Sequence, residues 1–180
     1  GKITDESGAP IPARYKAASE LLAKLHAAQV SRDLPYDRAK TYSLPPYDHD
    51  ALMIEARLML EWYVPFRLSR AVSDEESQTF NLLWDELIAV LGRSETGLIL
   101  RDYHSPNLIW RDEKSGTDRL GLVDIQDALY GPLSYDVSSL AQDARVTIPE
   151  ELERQLTGAY CAARHALGAD LADAASRRGA

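Results

Sequence analysis

The sequence predicts an α+β domain, mostly helical, with a small antiparallel β-hairpin set near its middle. Three observations point there. Apolar residues recur at helical spacing in the stretches that follow Pro12, Asp50, Ser73 and Pro149. Between positions 97 and 125 the period shortens to that of strands. The chain has 180 residues, 45% of them aliphatic or aromatic, which is enough for one domain with a sizeable core.

Each element follows from its own signals. Pro12 to Gln29 reads as a helix whose inner face carries Ala18, Leu21, Leu22, Leu25 and Ala28. The next stretch, SRDLPYDRAKTYSLPPYDHD, holds prolines at 35, 45 and 46 and reads as an irregular connection with a short turn of helix. It is long for a loop inside a domain. Tyr36, Asp37 and Tyr47 within it are candidates for a substrate lid. Asp50 opens a second helix from Ala51 to Tyr63, with Leu52, Met53, Ala56, Leu60 and Tyr63 inward, and Pro65 interrupts it. Ser73 and Glu76 form a capping box at the start of a third helix. That helix runs through Phe80, Leu83, Trp84, Leu87, Ile88 and Leu91 to Gly92.

Strands are expected at Leu98 to Leu100, Asn107 to Arg111 and Leu120 to Ile125, with a polar turn over residues 112–118. Ser134 is expected to cap a helix reaching Ala144. Pro149 sits in the first turn of a last helix that stops at Gly168.

Composition excludes several classes. The formal charge is -8, so a broad nucleic-acid surface is not expected. No apolar run approaches the roughly 18 residues of a membrane span, and the first residues lack the apolar core of a signal peptide. A cytoplasmic protein is expected. One cysteine, Cys161, rules out a disulfide framework, and its helical neighbours suggest a buried thiol.

The chemistry gathers at the strand ends. Pairing the strands as a hairpin with position sums near 231 sets Arg111 opposite Leu120 and Asn107 opposite Asp124. Asp102 lies five residues before Asn107, and Pro106 stiffens the link. Three oxygen-bearing side chains are thereby expected to converge. Hard oxygen donors of this kind suit Mg²⁺ with substrate phosphates rather than zinc. An acid beside such a site can take the proton of an attacking hydroxyl.

The text RDYHSPNLIW (101–110), followed by GLVDIQDALYGPLSYDVSSL (121–140), resembles the catalytic loop and metal site of protein-kinase-like enzymes. It is most similar to the aminoglycoside phosphotransferase and choline kinase branch. Asp124-Ile-Gln-Asp-Ala, Gly131-Pro132, Tyr135-Asp136, LAKLH at 22–26 and EWYVP at 61–65 resemble bacterial kinases that phosphorylate N-acetylmuramate and N-acetylglucosamine at the anomeric hydroxyl. The likeness runs from about Ala13 to Leu167.

That resemblance implies a fold and a set of roles. Residues 13–168 would form a kinase-like C-terminal lobe. Residues 1–12 would be the end of a hinge from an N-terminal lobe of the same polypeptide, and 169–180 a tail. Asp102 would be the catalytic base, with Asn107 and Asp124 as metal ligands. His104, Asp127 and Asp136 would support them, His104 by tying the loop together and Asp136 by anchoring its backbone. Glu61 and Trp62 are candidate sugar contacts. ATP would be co-substrate and Mg²⁺ the cofactor. The partners would be a nucleotide and a small-molecule substrate, with no membrane and no nucleic acid.

The sequence departs from the pattern in places. Leu100 stands where the branch usually has His, and Ile125-Gln126 where protein kinases have Phe-Gly. None of the glycines forms G-x-G-x-x-G, so the phosphate-covering loop lies elsewhere. The rival reading is a non-catalytic relative that binds a ligand or partner through the same fold.

Overall fold

The computed structural model describes residues 1–168. The tail expected over 169–180 lies outside the described residues. Helix α1 (Pro12–Ala27) opens on Pro12, whose missing N–H costs nothing in a first turn. It packs against the last helix, α6 (Glu150–Ala166). Helix α5 (Ser134–Ala141) closes against both. These helices and the central hairpin bury Tyr15, Leu22, Tyr103, Leu108, Leu140 and Leu156 in one cluster. Ile3, from the opening residues, is wholly buried there too.

A second, smaller cluster sits under helix α2 (His49–Leu58) and helix α4 (Asp74–Leu91), around Leu52, Met53, Ile88, Ile99 and Leu133. Its floor is a two-stranded sheet of β3 (Thr96–Ile99) against β6 (Leu129–Pro132). Strand β6 was not evident in the sequence. Gly131 explains its place, since a Cβ there would stand 2.7 Å from the Cβ of Tyr47. Only glycine lets the two backbones come so near.

The connection after α1 differs from the expected irregular loop. It forms an antiparallel hairpin of β1 (Asp33–Asp37) and β2 (Lys40–Ser43). Tyr36, Thr41 and Tyr42 supply strand-forming side chains, while Pro35 is tolerated in an isolated two-strand ribbon. Tyr36 is exposed on this ribbon, whereas Tyr47 is buried in the second cluster.

Pro65 does not end the helix it was expected to break. After α2 the chain takes a π-helical turn, Met59–Tyr63, and continues as α3 (Val64–Leu68). The wider turn absorbs the proline, which cannot donate to a residue four back. It also rotates the expected inner face, so Tyr63 is 57% exposed instead of buried. Helix α4 begins with the expected capping box, in which the Ser73 hydroxyl accepts from the Glu76 N–H and Glu76 accepts from the Ser73 N–H. Of its expected inner residues Ile88 is buried, while Leu83 and Leu87 are exposed.

Other differences are local. Ser134 starts α5 without a side-chain cap, and that helix ends at Ala141. Pro149 is the cap of α6 rather than its first helical residue. Cys161 is exposed, because α6 turns Leu156, Tyr160 and Arg164 inward and leaves position 161 on the outer face. Among the described residues no helix is long and apolar enough to cross a membrane.

Candidate active site

The central hairpin pairs β4 (Leu108–Trp110) with β5 (Leu120–Leu122). Its register is one residue away from the expected one. Trp110, not Arg111, faces Leu120, and Leu108 faces Leu122. The reason is the core. This register turns Leu108, Trp110 and Leu120 inward together, and a one-residue slip would send them outward. Asn107 therefore stands opposite Val123, whose N–H donates to the Asn107 carbonyl at 3.1 Å. Asp124 is the next residue, just past the ladder, rather than directly across.

The loop before β4 is a series of tight turns. The Asp102 N–H donates to the Leu100 carbonyl at 2.8 Å, and the His104 N–H to the Asp102 carbonyl at 3.0 Å. Ser105–Asn107 then form one 3₁₀ turn. The Asn107 Nδ2 donates to the Asp102 carbonyl at 3.0 Å. That bond orients the amide and leaves its Oδ1 available. The Asp102 side chain is 44% exposed, and no hydrogen bond engages its carboxylate among the described residues.

Two buried carboxylates hold this loop. Asp136, wholly buried at the start of α5, accepts from the Leu100 N–H at 2.7 Å and the Arg101 N–H at 2.9 Å. His26 of α1 places Nε2 3.6 Å from Asp136 Oδ2, and its Nδ1 lies 2.8 Å from the Tyr160 hydroxyl. Asp143 accepts from the Ser105 N–H at 2.8 Å and from the Tyr15 hydroxyl at 2.9 Å. The Tyr103 hydroxyl donates to the Ala18 carbonyl at 2.8 Å. Burial pushes the Tyr15 and Tyr103 phenols above their usual range, so both serve as neutral donors.

His104 does not tie the loop by side-chain hydrogen bonds. Its Nε2 lies 3.7 Å from Asp102 Oδ1, beyond hydrogen-bond reach, and its buried Nδ1 has no partner among the described residues. Asp143 does that work from α5's end. The sequence offered only one hint of it, an acid seven residues after Asp136.

A third tie was not anticipated. Arg101 Nη2 donates to Glu55 Oε1 of α2 at 2.7 Å, and Glu55 Oε2 accepts from the Tyr47 hydroxyl at 2.6 Å. Tyr47 packs edge-on against Tyr135, with centroids 4.8 Å apart. Burial, then the bond to Glu55, pushes the Tyr47 phenol well above its usual range. Burial pulls the Arg101 guanidinium down, but the charge of Glu55 and its hydrogen bond hold it above the ordinary value.

The remaining candidates are surface residues. Asp124 has φ 61, a conformation that Asp adopts more readily than most residues. Its Oδ1 accepts from Gln126 Nε2. Asp127 is exposed in the following turn. Glu61 and Trp62 lie on the π-helical turn, both exposed, Trp62 by 71%. Among the described residues no three His, Cys, Asp or Glu side chains gather at metal-binding spacing. An oriented amide oxygen and a solvent-facing carboxylate are nonetheless the donor chemistry of a Mg²⁺ site that phosphates complete.

The sequence pattern of a family described as "Phosphotransferase enzyme family" matches residues 1–172. The chain is similar to the N-acetylmuramate/N-acetylglucosamine kinase of Caulobacter vibrioides, 34% identical over 176 residues, covering 91% of this chain and 48% of that protein. It is 33% identical over 131 residues to the kinase of the same name from Neisseria meningitidis serogroup B, covering 73% of this chain and 38% of that one. With the Pseudomonas putida kinase it shares 34% over 125 residues, 69% of this chain and 35% of the other. The chain thus spans half or less of the length of the curated relatives it matches.

Proposed function

The chain belongs to the phosphotransferase enzyme family, and from that premise we propose that it is the catalytic C-terminal lobe of an ATP- and Mg²⁺-dependent sugar kinase. The acceptor is an amino sugar such as N-acetylmuramate or N-acetylglucosamine. The observation that carries this reading is the loop from Leu100 to Asn107. Asp136 fixes its backbone, and the Asp102 carboxylate is left uncommitted beside an oriented Asn107.

Each residue then has a task. Asp102 accepts the proton of the sugar hydroxyl as that oxygen attacks the terminal phosphorus of ATP. Asn107 Oδ1 and the Asp124 carboxylate hold the metal. Magnesium, when bound, neutralises charge on the phosphates. Asp136 and Asp143 keep the loop from relaxing, so that little reorganisation accompanies the reaction. Glu61 and Trp62 offer an acid and an aromatic face to the sugar ring. Residues 1–12 lead from an N-terminal lobe that supplies the phosphate-covering loop.

The test uses the complete polypeptide with ATP, Mg²⁺ and either sugar, following ADP release. Asp102→Asn should lower kcat by roughly 10²- to 10⁴-fold and leave ATP affinity nearly unchanged. Asp124→Ala should abolish metal-dependent nucleotide binding. The 180 residues alone should turn over little. Failure of the complete protein to phosphorylate either sugar would refute the acceptor class. Near-normal turnover by Asp102→Asn would refute the assigned base.

A further inference from the structure

Arg101, immediately before Asp102, has φ 68, and the hydrogen bond from the Asp102 N–H to the Leu100 carbonyl closes a three-residue turn around it. This is the strained form of the γ-turn, a conformation that glycine enters freely and arginine does not. A non-glycine residue kept there marks a position whose side chain is needed. The guanidinium goes to Glu55 at 2.7 Å. Glu55 has both oxygens engaged, the other accepting from Tyr47, and Tyr47 packs on Tyr135. Tyr135 is the neighbour of Asp136, which already holds the Leu100 and Arg101 amides. The residue before the proposed base is therefore gripped twice, by its backbone from α5 and by its side chain from α2.

We propose that Glu55 is a positioning residue for phosphoryl transfer, holding Arg101 so that the strained turn aims the Asp102 carboxylate at the acceptor hydroxyl. This rests on the kinase reading above. Glu55 touches no substrate and acts through Arg101. Because α2 leads directly into the turn carrying Glu61 and Trp62, the same ion pair fixes the distance between the proton acceptor and the sugar-facing helix. Ordinary surface pairs do little. Here the effect comes from geometry, where a shift near 1 Å can cost about a hundredfold in rate.

The experiment is a double-mutant cycle in the complete protein, with ATP and N-acetylglucosamine as probes. Glu55→Gln and Arg101→Gln should each lower kcat about tenfold or more with ATP KM unchanged, and the double variant should be no worse than either alone. Arg101→Gly separates position from structure. It relieves the turn, so its melting temperature should stay at or above the parent's, while kcat falls as in Arg101→Gln. Additive losses, or full kcat in Arg101→Gly, would overturn the proposal. Should Glu55→Gln not fold, Tyr47→Phe frees only one Glu55 oxygen and should lower kcat in the same direction by less; unchanged kcat there counts against the proposal. Asp102→Asn runs alongside. If it is inactive while the Glu55 and Arg101 variants are normal, positioning fails and the kinase reading stands. If it is fully active, the assigned base falls and the positioning proposal with it, while the kinase activity stands.

Discussion

Helices α6 and α4 are of nearly equal length, 17 and 18 residues, yet they meet the rest of the molecule differently. Helix α6 buries one stripe, Leu152, Leu156, Tyr160 and Arg164, at intervals of four. It seals the cluster from which the loop from Leu100 to Asn107 is anchored. Helix α4 buries Ile88 and leaves Leu82, Leu83, Leu87 and Val90 in solvent. Ile54, Met59, Trp62 and Phe66, on the stretch from α2 to α3, are exposed as well. On the α1–α5–α6 side Asp136, Asp143, the Tyr15 hydroxyl and the Tyr103 hydroxyl all have partners. The α2–α4 side touches the loop through the Glu55–Arg101 pair. The comparison separates two demands. One side holds the loop from Leu100 to Asn107 still, and the other presents surface.

The contrast can be broken or sharpened by substitution. Leu156→Ala on the finished side should cost about 4 kcal/mol by chemical denaturation, a buried leucine losing its packing. Leu83→Ala on the open side should change stability by less than about 0.5 kcal/mol. Equal costs would mean that α4 is as well packed as α6. Asp136→Ala should cost about 3 kcal/mol, because two loop amides lose their acceptor. Turnover should fall with it, which ties the anchor to the loop. Gly131→Ala should cost about 2 kcal/mol, since its new methyl meets Tyr47 and the backbone must give.

The smallest effect is a pH dependence confined to the open side. His49 of α2 places Nε2 2.7 Å from Asp85 Oδ1 of α4. That bond, then the one to Asp50, raises the imidazole above its ordinary 6.5. A raised folded value means that protonation favours the folded state. The contribution is fully present below pH 6.5, the unfolded value, and is lost as pH rises through the higher folded one. The stability difference between the parent and Asp85→Asn should therefore shrink on going from pH 5.5 to about pH 8.5 in thermal melts. A difference that persisted or grew would put the link elsewhere.

What the sequence revealed follows the same division. Helices α1 and α6 were readable because their apolar spacing is regular, a proline stands at the start of each, and Gly168 follows α6. The capping box named the start of α4 outright. The strands were harder. Three or four residues carry little period, and β6 is defined by what Gly131 lacks rather than by any side chain it has. The hairpin register missed by one because the connection between its strands ends in a 3₁₀ segment, Gly116–Arg119, whose length no local signal sets. Asp102 and Asn107 were legible as a spaced pattern, and Asp136 only through the family resemblance. Glu55 was not, since its meaning depends on a partner 46 positions away. Asp143 was hidden for a similar reason: its partners, Tyr15 and Ser105, come from distant segments.

The π-helical turn has a consequence for how this protein varies. At its end the Val64 N–H reaches back five residues, to the Met59 carbonyl, so the stretch carries one residue beyond an α-helical count. Five residues wound this loosely turn through about the same angle as four in an α-helix. Deleting one position from Leu60 to Tyr63 should therefore restore ordinary winding while Phe66 and Leu68 keep their bearing and Glu55, upstream, keeps its hold on Arg101. One lost codon would be absorbed inside the turn, so length can vary there without moving the flanking helices.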